Sequence, residues 1–199
     1  TYEEASKLGF KIAPFLVSAN GTDYKKEDEN FNEDDFYQSL VDNPKWKPKS
    51  ACPELGDYIK LFEEAVSEGK DVICLCLTSK FSGSYNAALN AKEMVLEDYE
   101  DAKIEVIDSE SITCCKGMLV KEVLKMIESG MSFEDVVENT NELKKSCMVL
   151  FTIGEVDYLR RGGRIGQAAL TVVSKANIRP LINFRDGDIF IKGIALGRA

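Results

Sequence analysis

Four short apolar runs recur along this chain, at residues 12–17, 72–77, 104–107 and 149–153, separated by stretches of helical periodicity. Each run has the length and composition of a buried strand, and between them apolar residues return every three or four positions. Asn32 is placed to cap a helix carrying Phe36, Leu40 and Val41. Asp57 opens another, with Leu61, Phe62, Ala65 and Val66 on one face. Leu119, Val120, Val123, Leu124 and Ile127 form a third stripe, ended by Gly130. Ser132 with Asp135 then resembles a capping pair for a helix ending near Lys145. Strands alternating with helices predict right-handed βαβ units, hence an α/β fold whose N-terminal part is a parallel sheet flanked by helices.

The end of the chain breaks this alternation. Residues 181–184, 185–188 and 189–191 read as strand, turn and strand of an antiparallel hairpin. The change places a domain boundary near residue 150. Residues 1–150 form the first domain, and 151–199 begin a second α/β domain with a helix and a β-hairpin.

Composition narrows the function classes. The net charge of −9, without a long basic run, repels phosphate backbones and argues against nucleic acid as a partner. The apolar runs fall far short of the ~20 residues a membrane span needs, so no stable membrane insertion is expected. The first residues show no basic stretch followed by an apolar one, although Thr1 is not a natural initiator. Six cysteines, no histidine and no C-x-x-C pair fit neither a disulfide framework nor a metal site. Cys74 and Cys76 lie in an apolar run and Cys114 and Cys115 are adjacent, so reduced thiols in a cytoplasmic protein are expected. The acidic stretch 27–35 lacks the spacing and the glycine of an EF-hand loop and reads as a solvated loop and helix start.

In open α/β sheets ligands bind beyond the carboxyl ends of strands, and two such turns are rich in hydroxyls. The first, residues 78–85 (Thr-Ser-Lys-Phe-Ser-Gly-Ser-Tyr), directly follows the run 72–77. There Ser82 offers a hydroxyl, Gly83 lets a ligand approach the backbone, and the free N–H groups opening the next helix favour an anion. The second turn, Asp108-Ser109-Glu110-Ser111, follows the run 104–107. Ser109 and Ser111 are candidate ligand or partner contacts there, with helix capping as the plainer reading. A third constellation, residues 158–165, sets Arg160, Arg161 and Arg164 around Gly162-Gly163. These arginines suit a carboxylate, a phosphate or an acidic partner. The nucleotide-binding patterns G-x-x-x-x-G-K-[ST] and G-x-G-x-x-G are absent, as is G-x-S-x-G, and no histidine exists to activate a serine.

Four segments in order resemble the DegV family. Residues 78–85 look like its S-S-G-L-S-G-T-Y turn, 106–111 like V-I-D-S-x-S, 158–165 like Y-L-R-R-G-G-R-I and 178–187 like I-K-P-I-L-x-x-x-x-G. Residues 49–57 are similar, more loosely, to T-S-Q-P-S-P-G-D, with Ala51 and Cys52 in place of serine and glutamine. The resemblance covers nearly the whole chain. It implies a non-catalytic lipid-binding protein that holds one long-chain fatty acid between two domains, with no cofactor or metal. It further implies similarity to the lipid-binding subunit that presents an acyl carboxylate to a fatty acid kinase for acyl-phosphate formation. On that likeness Ser82 with Gly83 holds the carboxylate, Ser50 supplies a second hydroxyl, and Arg160 lies near the head group. The resemblance also implies an Asp-Ser strand before Thr1 and a histidine-containing segment after Ala199, so the natural protein is expected to continue beyond these residues. A phosphoryl- or acyl-transfer enzyme acting alone is the alternative, and a protein-interaction module built on the arginine turn is a third reading.

Overall fold

The structure is a computed structural model and describes residues 1–153, 162–164 and 178–196. In chain order its elements are α1 (Tyr2–Leu8), β1 (Leu16–Ser18), β2 (Lys25–Lys26), α2 (Glu33–Asp42), β3 (Lys49–Ala51), α3 (Leu55–Ser67), β4 (Val72–Cys76) and α4 (Ser84–Asp98). There follow β5 (Ile104–Asp108), α5 (Thr113–Glu128), α6 (Phe133–Leu143), β6 (Val149–Thr152), β7 (Ile178–Arg185) and β8 (Asp188–Leu196). β4 and β5 pair in parallel through the α4 crossover, as the alternation predicts. Val72 N–H donates to the Lys103 carbonyl at one end of the pair, and Ser109 N–H to the Cys76 carbonyl at the other. The other two apolar runs behave differently: β1 and β6 both pair antiparallel with neighbours.

The chain divides into two compact units. The first comprises Thr1–Cys74 and Ser82–Val106. In it β1 lies between β2 and β3, with Leu16 opposite both Lys26 and Ala51. Its core is a helix pair. Tyr58, Phe62 and Val66 recur at four-residue spacing on α3, and Ala88, Ala91 and Val95 are the buried apolar positions of α4. Ala88 and Ala91 are wholly inaccessible, and their small side chains permit close backbone approach. Asn32 caps α2 as expected, accepting from Asp35 N–H at 3.1 Å. Asp57 does not open α3. That helix starts at Leu55 without a side-chain cap, and the Asp57 carboxylate takes the Lys26 ammonium at 2.6 Å instead.

The second unit comprises Leu75–Phe81 and Ile107–Ala199. Ser132 caps α6 by accepting from Asp135 N–H, and Gly130 before it stands at φ 81°. The hairpin is longer than expected, β7 and β8 pairing from Arg185↔Asp188 out to Ile178↔Leu196. Its two-residue turn is Asp186-Gly187, at φ 53° and 75°. Two left-handed positions match the twist of the flanking strands, and Asp-Gly supplies them with least strain. β6 completes a three-stranded sheet in which Ile182 and Phe184 are buried, with Val149 opposite Phe184.

Candidate functional site

The turn after β4 contributes to both units. In the first unit, Gly83 is the N-cap residue of α4 and has no side chain to cap it. The Ser84 N–H is taken by the Ser82 hydroxyl at 3.2 Å, and the two hydroxyls, Ser82 Oγ and Ser84 Oγ, stand 2.7 Å apart. Ser84 is buried and Ser82 half-buried, so the pair sits at a surface with one member open to it. A hydroxyl pair at the start of a fifteen-residue helix can offer donors to an anion, where the helix end carries partial positive charge.

β3 reaches this turn. A side chain added at Gly83 would meet Cys52 Sγ at 3.6 Å, which is ordinary contact distance. The end of β3 is therefore packed against the Ser82–Gly83 segment, although the two are thirty residues apart in sequence. Ser50 lies in β3 opposite Val17 of β1, and is exposed. Ser84 is a member of the cluster that sequence reasoning did not single out. Its signal was the i, i+2 spacing of Ser82 and Ser84, which lets one hydroxyl meet the next across a turn.

In the second unit the start of the same turn is tied down. Thr78 is buried, and its hydroxyl donates to the Gly187 carbonyl at 3.3 Å. Lys80 Nζ donates to the Asp186 carbonyl at 3.0 Å, and the Phe81 ring meets Phe184 edge-on with centroids 5.3 Å apart. Arg164, exposed, donates from Nε to the Phe81 carbonyl at 3.3 Å and from Nη1 to the Gly162 carbonyl. Of the three arginines, Arg164 alone falls among the described residues. Arg160 and Arg161 lie outside them.

The turn after β5 is closed by its own hydrogen bonds. Ser79 N–H and Glu110 N–H donate to the two oxygens of Asp108. Lys144 Nζ reaches the Asp108 carbonyl at 3.0 Å and the Glu110 carboxylate at 3.2 Å. Glu110 N–H is thus fixed while Glu110 carbonyl accepts from Gly187 N–H, and the residue is held at φ 49°. Ser109 is fully buried and its hydroxyl bonds the Ser111 backbone on both sides, accepting from N–H and donating to the carbonyl. Ser111 is equally buried, yet its own hydroxyl has no partner among the described residues. A buried hydroxyl without a partner costs about 1–3 kcal/mol unless a ligand or water answers it.

Five apolar side chains that would suit the wall of an acyl tunnel are less enclosed than core. Phe15, Leu77, Phe81 and Ile153 are half-buried and Met118 is 66% exposed. Among the described residues no helix is long and apolar enough to cross a membrane, and no group of three or more acidic, cysteine or histidine side chains is placed to hold a metal.

Several known proteins resemble this chain. A fatty-acid-binding (stearic acid) protein from Eubacterium ventriosum superposes with a TM-score of 0.92 at 40% identity, over 100% of this chain and 68% of that one. The Fak B3 protein of fatty acid kinase from Streptococcus pneumoniae, solved with linoleic acid, gives a TM-score of 0.82 at 32% identity, over 94% and 65%. A DegV domain-containing protein from Clostridium perfringens is 30% identical over 187 residues, 94% of this chain and 65% of the relative. One from Clostridium acetobutylicum is 36% identical over 181 residues, 88% of this chain and 63% of the relative. The chain thus spans a little under two thirds of the length of these two curated relatives. The family model described as "Uncharacterised protein, DegV family" matches residues 1–198. This chain belongs to the DegV family.

Proposed function

We propose that this protein binds a long-chain fatty acid by its carboxylate and presents that carboxylate to a fatty acid kinase. The observation that carries the first half is the 40% identity, over the whole chain, with a stearic-acid-binding protein. The turn chemistry supports it: Ser82, Gly83 and the start of α4 offer donors to an anion, with Ser50 on the nearby strand β3 as a second hydroxyl. A ~16-carbon acyl chain gains about 0.8 kcal/mol per buried CH₂, so a few donors at the head group suffice for tight retention. Arg160 near the head group, with Arg161 and Arg164 shared between ligand and an acidic partner, belongs to the same proposal. So does a domain boundary near residue 150, which limited proteolysis checks, since exposed linkers are cut first.

The kinase half rests on the 32% identity with the Fak B3 protein. Native mass spectrometry of the purified chain, with lipid extraction, tests the binding reading. A fatty acid carried through purification supports it, whereas a ligand-free protein that takes up none on incubation sinks it. Transfer of phosphate from ATP to the bound acid by an added fatty acid kinase tests presentation separately.

A further inference from the structure

Charge is distributed very unevenly. Residues 23–42 hold eight carboxylates and two lysines, a net −6, against −9 for all 199 residues. The same segment borders a cavity of about 530 Å³ in the first unit, between β1, β2 and α2. Its walls are aromatic and acidic: Phe31, Phe36 and Trp46, with Asp23, Asp28 and Asp35. Lys25 and Lys26 also reach it, but Lys26 is held by Glu54 at 3.0 Å and Asp57 at 2.6 Å, which neutralises its charge. The carboxylates are not a metal cluster. Asp23 is fixed in place by Asn20 Nδ2 at 2.7 Å, and Asn20 is itself locked by four donors in the turn after β1.

α2 is under-packed for an amphipathic helix. None of its ten residues is buried, while Tyr37 and Val41, one turn apart, are 65% and 72% exposed. The negative field is felt beyond the cavity. The Tyr2 hydroxyl is held above its ordinary pKa by burial and then by Asp28, Glu27 and Glu29, and the Glu27 carboxyl is raised by burial and then by Glu33.

We propose that the α2 face and its cavity dock a basic segment of a partner protein, one lysine or arginine side chain entering among Phe31, Phe36 and Trp46. Charge complementarity sets the sign, and aromatic faces backed by carboxylates suit a partly desolvated cation. The occupant is a polypeptide because Glu27, Glu29 and Glu33 lie outside this cavity and line a second one that shares Asp28 and Phe31 with it, and a single cation cannot meet both. This inference does not depend on the fatty-acid reading.

Trp46 is the only tryptophan in the chain, so its fluorescence reports on the cavity directly. Titration with the peptide Arg-Lys-Arg-Lys-Arg-Lys should give a saturable change in Trp46 emission that weakens as salt is raised. The double substitution Asp28→Asn and Asp35→Asn should weaken binding by about tenfold or more, and Phe36→Leu by about tenfold, the scale of a lost desolvated cation–π contact. Asn at 28 keeps the oxygen that accepts Asn30 N–H, so the loop survives, and an unchanged melting temperature verifies this. No saturable change, or one indifferent to both variants, overturns the proposal. Free arginine binding as well as the peptide, at equal side-chain concentration, would also overturn it by showing a small-cation pocket.

Discussion

The turns after β4 and β5 look alike in sequence: each leaves a strand into a run with two serines spaced i, i+2. The structure separates them. Ser82 and Ser84 turn their hydroxyls toward each other at a half-open surface, at the start of α4. Ser109 spends both its hydrogen-bonding roles on the backbone of Ser111, deep in the second unit, and the segment is braced by Asp108, Lys144 and Gly187. One turn keeps hydroxyls at an accessible surface, as the proposed head-group site requires. The other is largely a piece of scaffold. Both turns give the second serine's N–H to the first serine's hydroxyl; what differs is whether that hydroxyl then meets another hydroxyl near the surface or is spent on a buried carbonyl.

The sharpest way to break this comparison is to strike the scaffold. A Cβ at Gly187 would lie 2.7 Å from the Thr78 hydroxyl, on a residue at φ 75°. Gly187→Ala should therefore destabilise the protein by about 3 kcal/mol, combining steric overlap with a left-handed backbone. Chemical denaturation measures it. A loss under about 1 kcal/mol would mean that the hairpin turn relaxes freely and that the bracing of the β5 turn is weaker than its hydrogen bonds suggest.

The second test moves to the open turn. Ser82→Ala should weaken fatty-acid retention by about 1–3 kcal/mol, the range for a hydrogen bond to a charged group. Stability should also fall, by about 1 kcal/mol, because buried Ser84 loses the acceptor of its N–H and the partner of its hydroxyl. Unchanged affinity in a folded variant would remove Ser82 from the head-group site and level the distinction between the turns.

How much of this could be read from the sequence follows local physics. The Asp-Gly hairpin, the Asn32 and Ser132 caps and the β4–α4–β5 unit were legible because each depends on residues close together in the chain. Asp57 misled because a carboxylate suited to a helix start found a stronger partner in Lys26, thirty-one residues away. β2 and β3 went unforeseen: Lys25–Lys26 and Lys49–Ala51 are too short and polar to show alternation, and antiparallel pairing with β1 alone makes them strands. The run at 12–17 was likewise read as a strand, but pairing begins only at Leu16. For the site, the family likeness named Ser50 and Ser82. That β3 meets the Ser82 turn through Cys52 and Gly83 is a tertiary fact no spacing reveals.

The finest discrimination lies within the β5 turn itself, between two serines of equal burial and opposite circumstance. Ser109→Ala removes an acceptor from Ser111 N–H and a donor to its carbonyl, leaving both groups buried; a loss of about 1–2 kcal/mol is expected. Ser111→Ala removes a hydroxyl that has no partner among the described residues, so nothing is orphaned by its loss. Removing an unsatisfied buried polar group relieves a desolvation penalty, and stability should stay within about 0.5 kcal/mol of the parent or rise. Fatty-acid affinity supplies the second axis. Ser109→Ala should leave it unchanged once compared at equal fractions folded, because that hydroxyl is wholly engaged. If Ser111→Ala lowers affinity while sparing stability, its hydroxyl is answered by the ligand, and the β5 turn is part scaffold and part site. Equal loss of stability in both variants would show instead that Ser111 has a structural partner, and the contrast drawn between the two serines would fall.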